Sequence, residues 1–301
     1  MDLDRYLRAR RRLIDQALRA AVRPRRADRL NEAMRYGLLD GGKRLRPILT
    51  LASCESVGGD STNALPFACA IEMIHAYSLM HDDLPAMDDD DMRRGRPSTH
   101  VVYGEALAIL AGDALLTDAF ALLAQRSTVP AKTNLTLIHE IARASGSAGM
   151  VSGQARDMGG EDAHTNVRKL ETTHRRKTGA LLRCAARAGA LAGRGSAKQI
   201  DAITAFSEDL GLAFQIVDDL LDAEGSTATT GKRVGRDQVQ GKATFPGLLG
   251  SEGSRKRVRA LIERATNALA DFDPRADPLR ALARHVIARL PAGRRHQSVP
   301  S

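Results

Sequence analysis

Ile71-Glu72-Met73-Ile74-His75-Ala76-Tyr77-Ser78-Leu79-Met80 runs without a break into His81-Asp82-Asp83-Leu84-Pro85-Ala86-Met87-Asp88-Asp89-Asp90-Asp91. The first ten residues are mostly apolar and contain no turn former, so they read as a buried helix. Pro85 disfavours helical geometry at Leu84, and the chain is expected to leave the helix there. Asp82 and Asp83 then sit on the last turn and Asp88 on the following loop. A helix C-terminus carries partial negative charge and should repel carboxylates. Six aspartates in the ten residues 82–91 therefore need a counter-charge. Mg²⁺ suits them, since it takes one or two carboxylates together with substrate phosphates and water. Asp82, Asp83 and Asp88 could then converge on one ion.

A second acidic group, Asp218-Asp219-Leu220-Leu221-Asp222, follows an apolar run that starts at Leu210. Asp218 and Asp222 are four apart, so on a helix they share a face, where bare like charges repel and a shared cation reverses the sign. Taken alone, this spacing is a weak motif. Its pairing with the first cluster makes it informative.

Outward from these two segments the pattern stays helical. Hydrophobic residues make up 43% of the 301, aromatics only 3%, and Trp is absent. Ala, Leu and Arg dominate, all good helix formers, and no proline occurs between Pro130 and Pro246. Alternating strand patterns are hard to find. The expected fold is all-α, one large helical bundle with a central cavity. Breaks are expected at Gly41-Gly42, Gly58-Gly59-Asp60, Arg94 to Ser98, Ser127 to Pro130, Gly159-Gly160, Gly193 to Ser196 and Ser226 to Gly235. All are short, as suits antiparallel neighbours, so residues 1–301 read as one domain. Its core spans about 27–289, and the tail 291–301 is expected to fray.

Composition also excludes several function classes. Cys54, Cys69 and Cys184 are widely spaced, which points to buried, reduced thiols in a cytoplasmic protein rather than a disulfide frame. The first twelve residues lack the apolar core of a signal peptide. The most apolar window, Ala106 to Ala124, contains Asp113 and Asp118, and no integral membrane association is expected. The net charge of +9 lies largely in Arg8 to Arg12, Arg23 to Arg29 and Arg294 to His296. No nucleic-acid partner is expected, because neither a recognised motif nor aromatic stacking residues accompany these cations.

Cations also recur beside the acidic clusters. Gly41-Gly42-Lys43-Arg44-Leu45-Arg46-Pro47 sets Lys43 and Arg46 three apart, and His75 lies seven residues before Asp82. Arg93 and Arg94 follow the acidic loop, Lys177-Thr178 adds a cation and a hydroxyl, and Gly231-Lys232 and Gly241-Lys242 repeat one pairing. Ammonium and guanidinium groups bind phosphate through charge-assisted hydrogen bonds. Bound Mg²⁺ on one side and Lys/Arg on the other describe a diphosphate site.

These segments, with Gly149-Met150-x-x-Gly153-Gln154, Lys177-Thr178-Gly179 and Phe214-Gln215-x-x-Asp218-Asp219-x-x-Asp222, resemble the head-to-tail trans-isoprenyl diphosphate synthases from about Ala27 to Arg289. Within that family the tract His81 to Asp88 is most similar to bacterial farnesyl diphosphate synthases. The resemblance implies that Asp82, Asp83, Asp88, Lys177, Asp218, Asp219 and Asp222 are catalytic. It implies about three Mg²⁺ ions, two held by Asp82 and Asp88 with Asp83 in support and a third by Asp218, with Mn²⁺ as a substitute. Arg93, Lys177, Thr178, Gln215, Lys232 and Lys242 would contact an allylic diphosphate, and Lys43, Arg46, His75 and Arg94 the diphosphate of isopentenyl diphosphate. Tyr77, with Ser78 beside it, would floor the cavity about 7.5 Å below Asp82 by helical rise and set product length. A homodimer is implied as well. The alternatives are a geranylgeranyl diphosphate synthase of the same fold or a non-catalytic binding subunit. The chain departs from the family pattern at Phe245 and His285, where Tyr is usual, and neither change removes a metal ligand.

Overall fold

The computed structural model describes residues 1–39, 41–158, 166–224 and 242–291. Helices α1 (Leu3–Ala21), α2 (Arg29–Leu39), α3 (Leu45–Ser56) and α4 (Ser61–Asp82) come first. After a short loop come α5 (Thr99–Tyr103), α6 (Glu105–Arg126), α7 (Ala131–Ser145) and α8 (Met150–Met158). Then α9 (Val167–His174) passes through a π-helical turn, Arg175–Gly179, into α10 (Ala180–Ala192). The long α11 (Ala197–Glu224), α12 (Phe245–Ala268) and α13 (Asp277–Ala288) complete the bundle, with a 3₁₀ turn, Pro274–Ala276, before α13. The all-α expectation holds. The one strand pairing among the described residues is a minimal antiparallel ladder, β1 (Met92–Arg93) with β2 (Arg96–Pro97).

Helix α4 is central because it is apolar around its whole circumference. Phe67, Ile71, Met73, Ile74 and Met80 are all at most 2% exposed. It packs on α3, α6 and α10, while α11 packs on α10 and α12. Side-chain caps set several helix starts: Asp2 accepts from Arg5 N–H at 3.0 Å, Asp60 from Thr62 N–H at 2.9 Å and Asn166 from Lys169 N–H at 3.0 Å. Such caps satisfy amide donors that the helix leaves free. The predicted breaks at 41–42, 58–60, 94–98, 127–130 and 193–196 fall between helices. Those at 159–160 and 226–235 lie outside the described residues, as does the tail from 292 onward.

Arg44 ties the N-terminal half together. It is 3% exposed, with a left-handed φ of 49°. Its Nε donates to Asp15 on α1 at 2.9 Å, Nη1 to Glu72 on α4 at 2.7 Å and Nη2 to the Leu38 carbonyl of α2 at 2.9 Å. This buried fork fixes the loop that carries Lys43 and Arg46.

Despite Asp113 and Asp118, Glu105–Arg126 is long and apolar enough to cross a membrane by length and composition. It packs on α4 and α2 within the bundle, yet only a third of its most apolar window is buried.

Candidate active site

The loop after α4 folds back on the helix end. Asp88 N–H donates to the Asp82 carbonyl at 2.8 Å, and Asp90 N–H to that of Asp83 at 3.1 Å. Asp83 is the C-cap of α4. This return brings the Asp88 carboxylate beside that of Asp82. Burial pushes Asp82 up to about 6, Lys177 opposes the shift, and Asp88 and Asp83 add to it. Burial also raises Asp83, whose partner is the Arg93 guanidinium on β1; Nε lies 2.9 and 3.2 Å from the two carboxylate oxygens. Arg93, expected to face an allylic substrate, is thus committed to a buried carboxylate, with Asp90 3.8 Å away.

Opposite this loop, α8 and the π turn present the basic side. Lys177 Nζ donates to Asp157 at 2.5 Å. Lys242 Nζ stands 3.4 Å from Asp88 and 3.6 Å from Asp157, so it bridges the two sides. Burial raises the Asp157 carboxyl, but Lys177 and Lys242 outweigh it and hold it below its usual value. Thr178 donates its hydroxyl to Gln215 Oε1 on α11 at 2.7 Å, leaving its own oxygen lone pairs available. Extra-wide turns inside helices are frequent at functional sites, and this one carries both Lys177 and Thr178. Gly153 allows α8 to lie directly on it: a Cβ there would meet Lys177 N at 2.2 Å.

The second acidic group sits on α11 with partners of its own. Asp218 pairs with Arg289 at 2.9 Å, and that guanidinium lies 4.9 Å over the Phe214 ring. Asp219 is 7% exposed and accepts the Phe245 N–H at 3.0 Å, at the positive end of α12. His174 stacks on Phe245, and its Nε2 is 3.7 Å from Asp219. Phe245 therefore fills a fully buried position. Asp222 lies one turn beyond Asp218 on the same helix face.

The cations assigned to the second diphosphate form a separate group near Asp218. Burial lowers Lys43, Arg289 adds to that, and Asp218 opposes it. Burial brings Arg46 down to about 10 against the pull of Glu72 and Asp218. His75 is held well below its usual value of 6.5 by burial and by Arg46, Arg94, Arg93 and Arg44. Arg94 donates to the Gly41 carbonyl at 3.0 Å and packs on Gly42. Lys232 lies outside the described residues. Tyr77 is 7% exposed, stands edge-on to His81 with ring centroids 5.6 Å apart, and is raised by burial and by Asp82. Ser78 turns its hydroxyl back onto the His75 carbonyl at 3.0 Å.

Two site residues escaped the sequence reading. Asp157 lies three positions after Gln154, in the gap following a quoted motif, and that spacing was the available signal. Arg289 carries no local signal. Among the described residues, no three His, Cys, Asp or Glu side chains converge as a ready-made metal cage. The donor set nonetheless fits Mg²⁺. A buried Asp82 beside Asp88 offers hard oxygen ligands whose charge is only partly met by Lys177, and Mg²⁺ needs no more than one or two carboxylates from protein.

The chain resembles known proteins over nearly its full length. A family model described as polyprenyl synthetase covers residues 27–275. The chain is 48% identical over 298 residues to a farnesyl diphosphate synthase of Escherichia coli (96% of this chain, 99% of the relative). It is 44% identical over 292 residues to a chloroplastic geranylgeranyl pyrophosphate synthase of Arabidopsis thaliana (96% of this chain, 84% of the relative). The apo crystal structure of an FPP/GFPP synthase from Zymomonas mobilis superposes with a TM-score of 0.84 at 40% identity, covering 95% of this chain and 99% of that one. The chain belongs to the polyprenyl synthetase family of prenyltransferases, which act in isoprenoid biosynthesis.

Proposed function

We propose that the chain condenses isopentenyl diphosphate with dimethylallyl or geranyl diphosphate and stops at (2E,6E)-farnesyl diphosphate. The carrying observation is the mixed cluster at the end of α4, where Asp82 and Asp88 face Asp157, Lys177 and Lys242 across a few ångströms. Such a set matches a diphosphate whose charge is shared between metal and ammonium groups. Asp82, Asp88 and, on α11, Asp218 are the ligands we assign to Mg²⁺, about three ions per site. When bound, the metal supplies Lewis-acid stabilisation of charge building on the departing diphosphate.

The chain's own groups do the rest. Lys177 and Lys242 add fixed positive charge where that diphosphate leaves, stabilisation that strengthens in the transition state. Thr178, its hydroxyl hydrogen-bonded to Gln215, offers oxygen lone pairs to positive charge left on the allyl fragment. Lys43, Arg46 and Arg94, with neutral His75, hold the second diphosphate. The isopentenyl double bond then forms the new C–C bond, and the released diphosphate takes the proton. Tyr77, buried one and a half turns below Asp82, limits growth to fifteen carbons. A geranylgeranyl product is the second reading, favoured by a plant relative that is nearly as similar as the bacterial one.

Incubation with Mg²⁺, isopentenyl diphosphate and each allylic starter, followed by chromatography, tests the reading. A C15 product is expected, C20 as the main product would favour the second reading, and full turnover by Asp82→Ala would refute the metal assignment. A homodimer in the cytoplasm completes the proposal. The apolar, exposed Val101, Val102, Ile109 and Leu110 around α5 and α6 form a surface suited to a second copy, and the three cysteines are buried free thiols. Sedimentation should give a dimer that Ile109→Glu with Leu110→Glu converts to monomer.

A further inference from the structure

The arginines of the N-terminal segment take no part in the condensation, yet they form one ordered face. Helix α1 turns Ile14 and Leu18, both fully buried, onto the bundle, where it packs on α2, α3 and α4. On its other side Arg5, Arg8, Arg12, Gln16 and Arg19 are all exposed. At 3.6 residues per turn these five positions fall within an arc of about 80°, and Arg5 to Arg19 covers about 21 Å of helix axis. Arg23, in the turn that follows, continues the row, with Arg26 exposed beside it. The carboxylates of this region are engaged elsewhere: Asp15 accepts from Arg44 at 2.9 Å, and Glu55 pairs with Arg10, off the row, at 2.8 Å. Among the described residues, Arg5, Arg8, Arg12, Arg19, Arg23 and Arg26 form no ion pair. Like charges three and four apart weaken a helix, and nothing within the fold offsets this row.

We propose that this face docks the protein on an anionic lipid bilayer, its guanidinium groups pairing with headgroup phosphates. Guanidinium forks match phosphate oxygens, and a bilayer presents them as a fluid plane that a straight row of cations meets along its whole length. The contact is electrostatic and peripheral, because Met1 is the one exposed large apolar side chain on this segment and none interrupts the row. A polynucleotide fits less well. Binding without a reading motif relies on aromatic side chains for base stacking, and the tyrosine of α1, Tyr6, instead turns its hydroxyl to Glu55 at 2.7 Å. Docking requires no turnover, so it stands apart from the reading under the proposed function. On that reading, it places release of a fifteen-carbon diphosphate beside the phase that takes up its chain.

The test is co-sedimentation of the full chain with vesicles of phosphatidylcholine alone or with one third phosphatidylglycerol, at 0.1 M salt. Wild type should partition to the anionic vesicles at least tenfold more strongly than to the neutral ones. Raising salt to 1 M shortens the screening length from about 10 to about 3 Å and should release it. Each arginine near the surface contributes about fivefold to partitioning, so Arg8→Gln with Arg12→Gln and Arg19→Gln should lose about a hundredfold with an unchanged or higher thermal midpoint. A control of equal charge change on α6, α7 and α9, Arg126→Gln with Arg143→Gln and Arg168→Gln, should stay within threefold of wild type. Equal binding to both vesicle types overturns the proposal, since the apolar face of α6 would then account for it. So do similar losses in the two triple variants, which would indicate net charge alone. Binding of a labelled DNA duplex more tightly than anionic vesicles at the same salt overturns it in favour of a nucleic-acid partner.

Discussion

Replacing Gly153 with alanine sets two physical effects against each other. In a helix interior alanine is favoured over glycine by about 0.8–1.0 kcal/mol, so propensity alone predicts a more stable protein. The structure predicts the reverse. The added methyl would stand 2.2 Å from Lys177 N, 2.5 Å from its Cα and 2.8 Å from Arg176 C. Ordinary contact begins at 3.4 Å, so the shortfall is 3.4 − 2.2 = 1.2 Å. All three neighbours are backbone, and no rotamer change can relieve them. Overpacking of this kind costs about 1–3 kcal/mol, which exceeds the propensity gain and leaves a net loss of roughly 0–2 kcal/mol. Function should suffer more. Moving α8 or the π turn by about 1 Å displaces Lys177 and Thr178 from the departing diphosphate, and misplacement on that scale costs about 10²-fold. Thermal melts and steady-state kinetics on one preparation test both halves. Gly179→Ala is the control for stability: its Cβ would lie 3.5 Å from the nearest atom and its φ is helical at −65°, so a neutral or raised melting point is expected. A Gly153→Ala enzyme at least as stable as wild type, with kcat/KM within threefold, would refute the close-packing argument.

Other outcomes follow from single sites. Tyr77→Ala should lengthen the product to geranylgeranyl diphosphate or beyond while Tyr77→Phe keeps C15, and chromatography showing only farnesyl diphosphate from the alanine variant would sink the floor assignment. Arg44→Met should cost about 3–5 kcal/mol in urea unfolding, because Asp15 and Glu72 lose the buried cation between them; a loss below about 1 kcal/mol would mean the triad is not holding α1, α2 and α4 together. His75 is held neutral in the fold below its ordinary 6.5, so the unfolded chain takes up the proton first and stability falls as pH drops below 6.5. That share of the slope is at most about 1.4 kcal/mol per pH unit. His75→Asn should remove it, and an unchanged slope between about pH 6.5 and 5 would contradict the neutral, arginine-ringed histidine.

The sequence by itself determined everything whose cause is local. Apolar runs without proline dictated helices, Pro85 ended α4, and glycine pairs marked the turns on either side of α3. Spacing of seven put His75 with Asp82, and spacing of four Asp218 with Asp222, on common helix faces. Those rules act within one element, so they can be read from order alone. Only the tertiary structure decided which faces meet. Arg289 reaches Asp218 across 71 positions, and Arg93 binds Asp83 rather than presenting an open fork. Arg44, one more cation in a basic motif, proves to be the buried anchor of three helices. Asp157 gains its role from two lysines on other segments. These outcomes depend on distance and burial between elements far apart in the chain, which spacing along it does not encode.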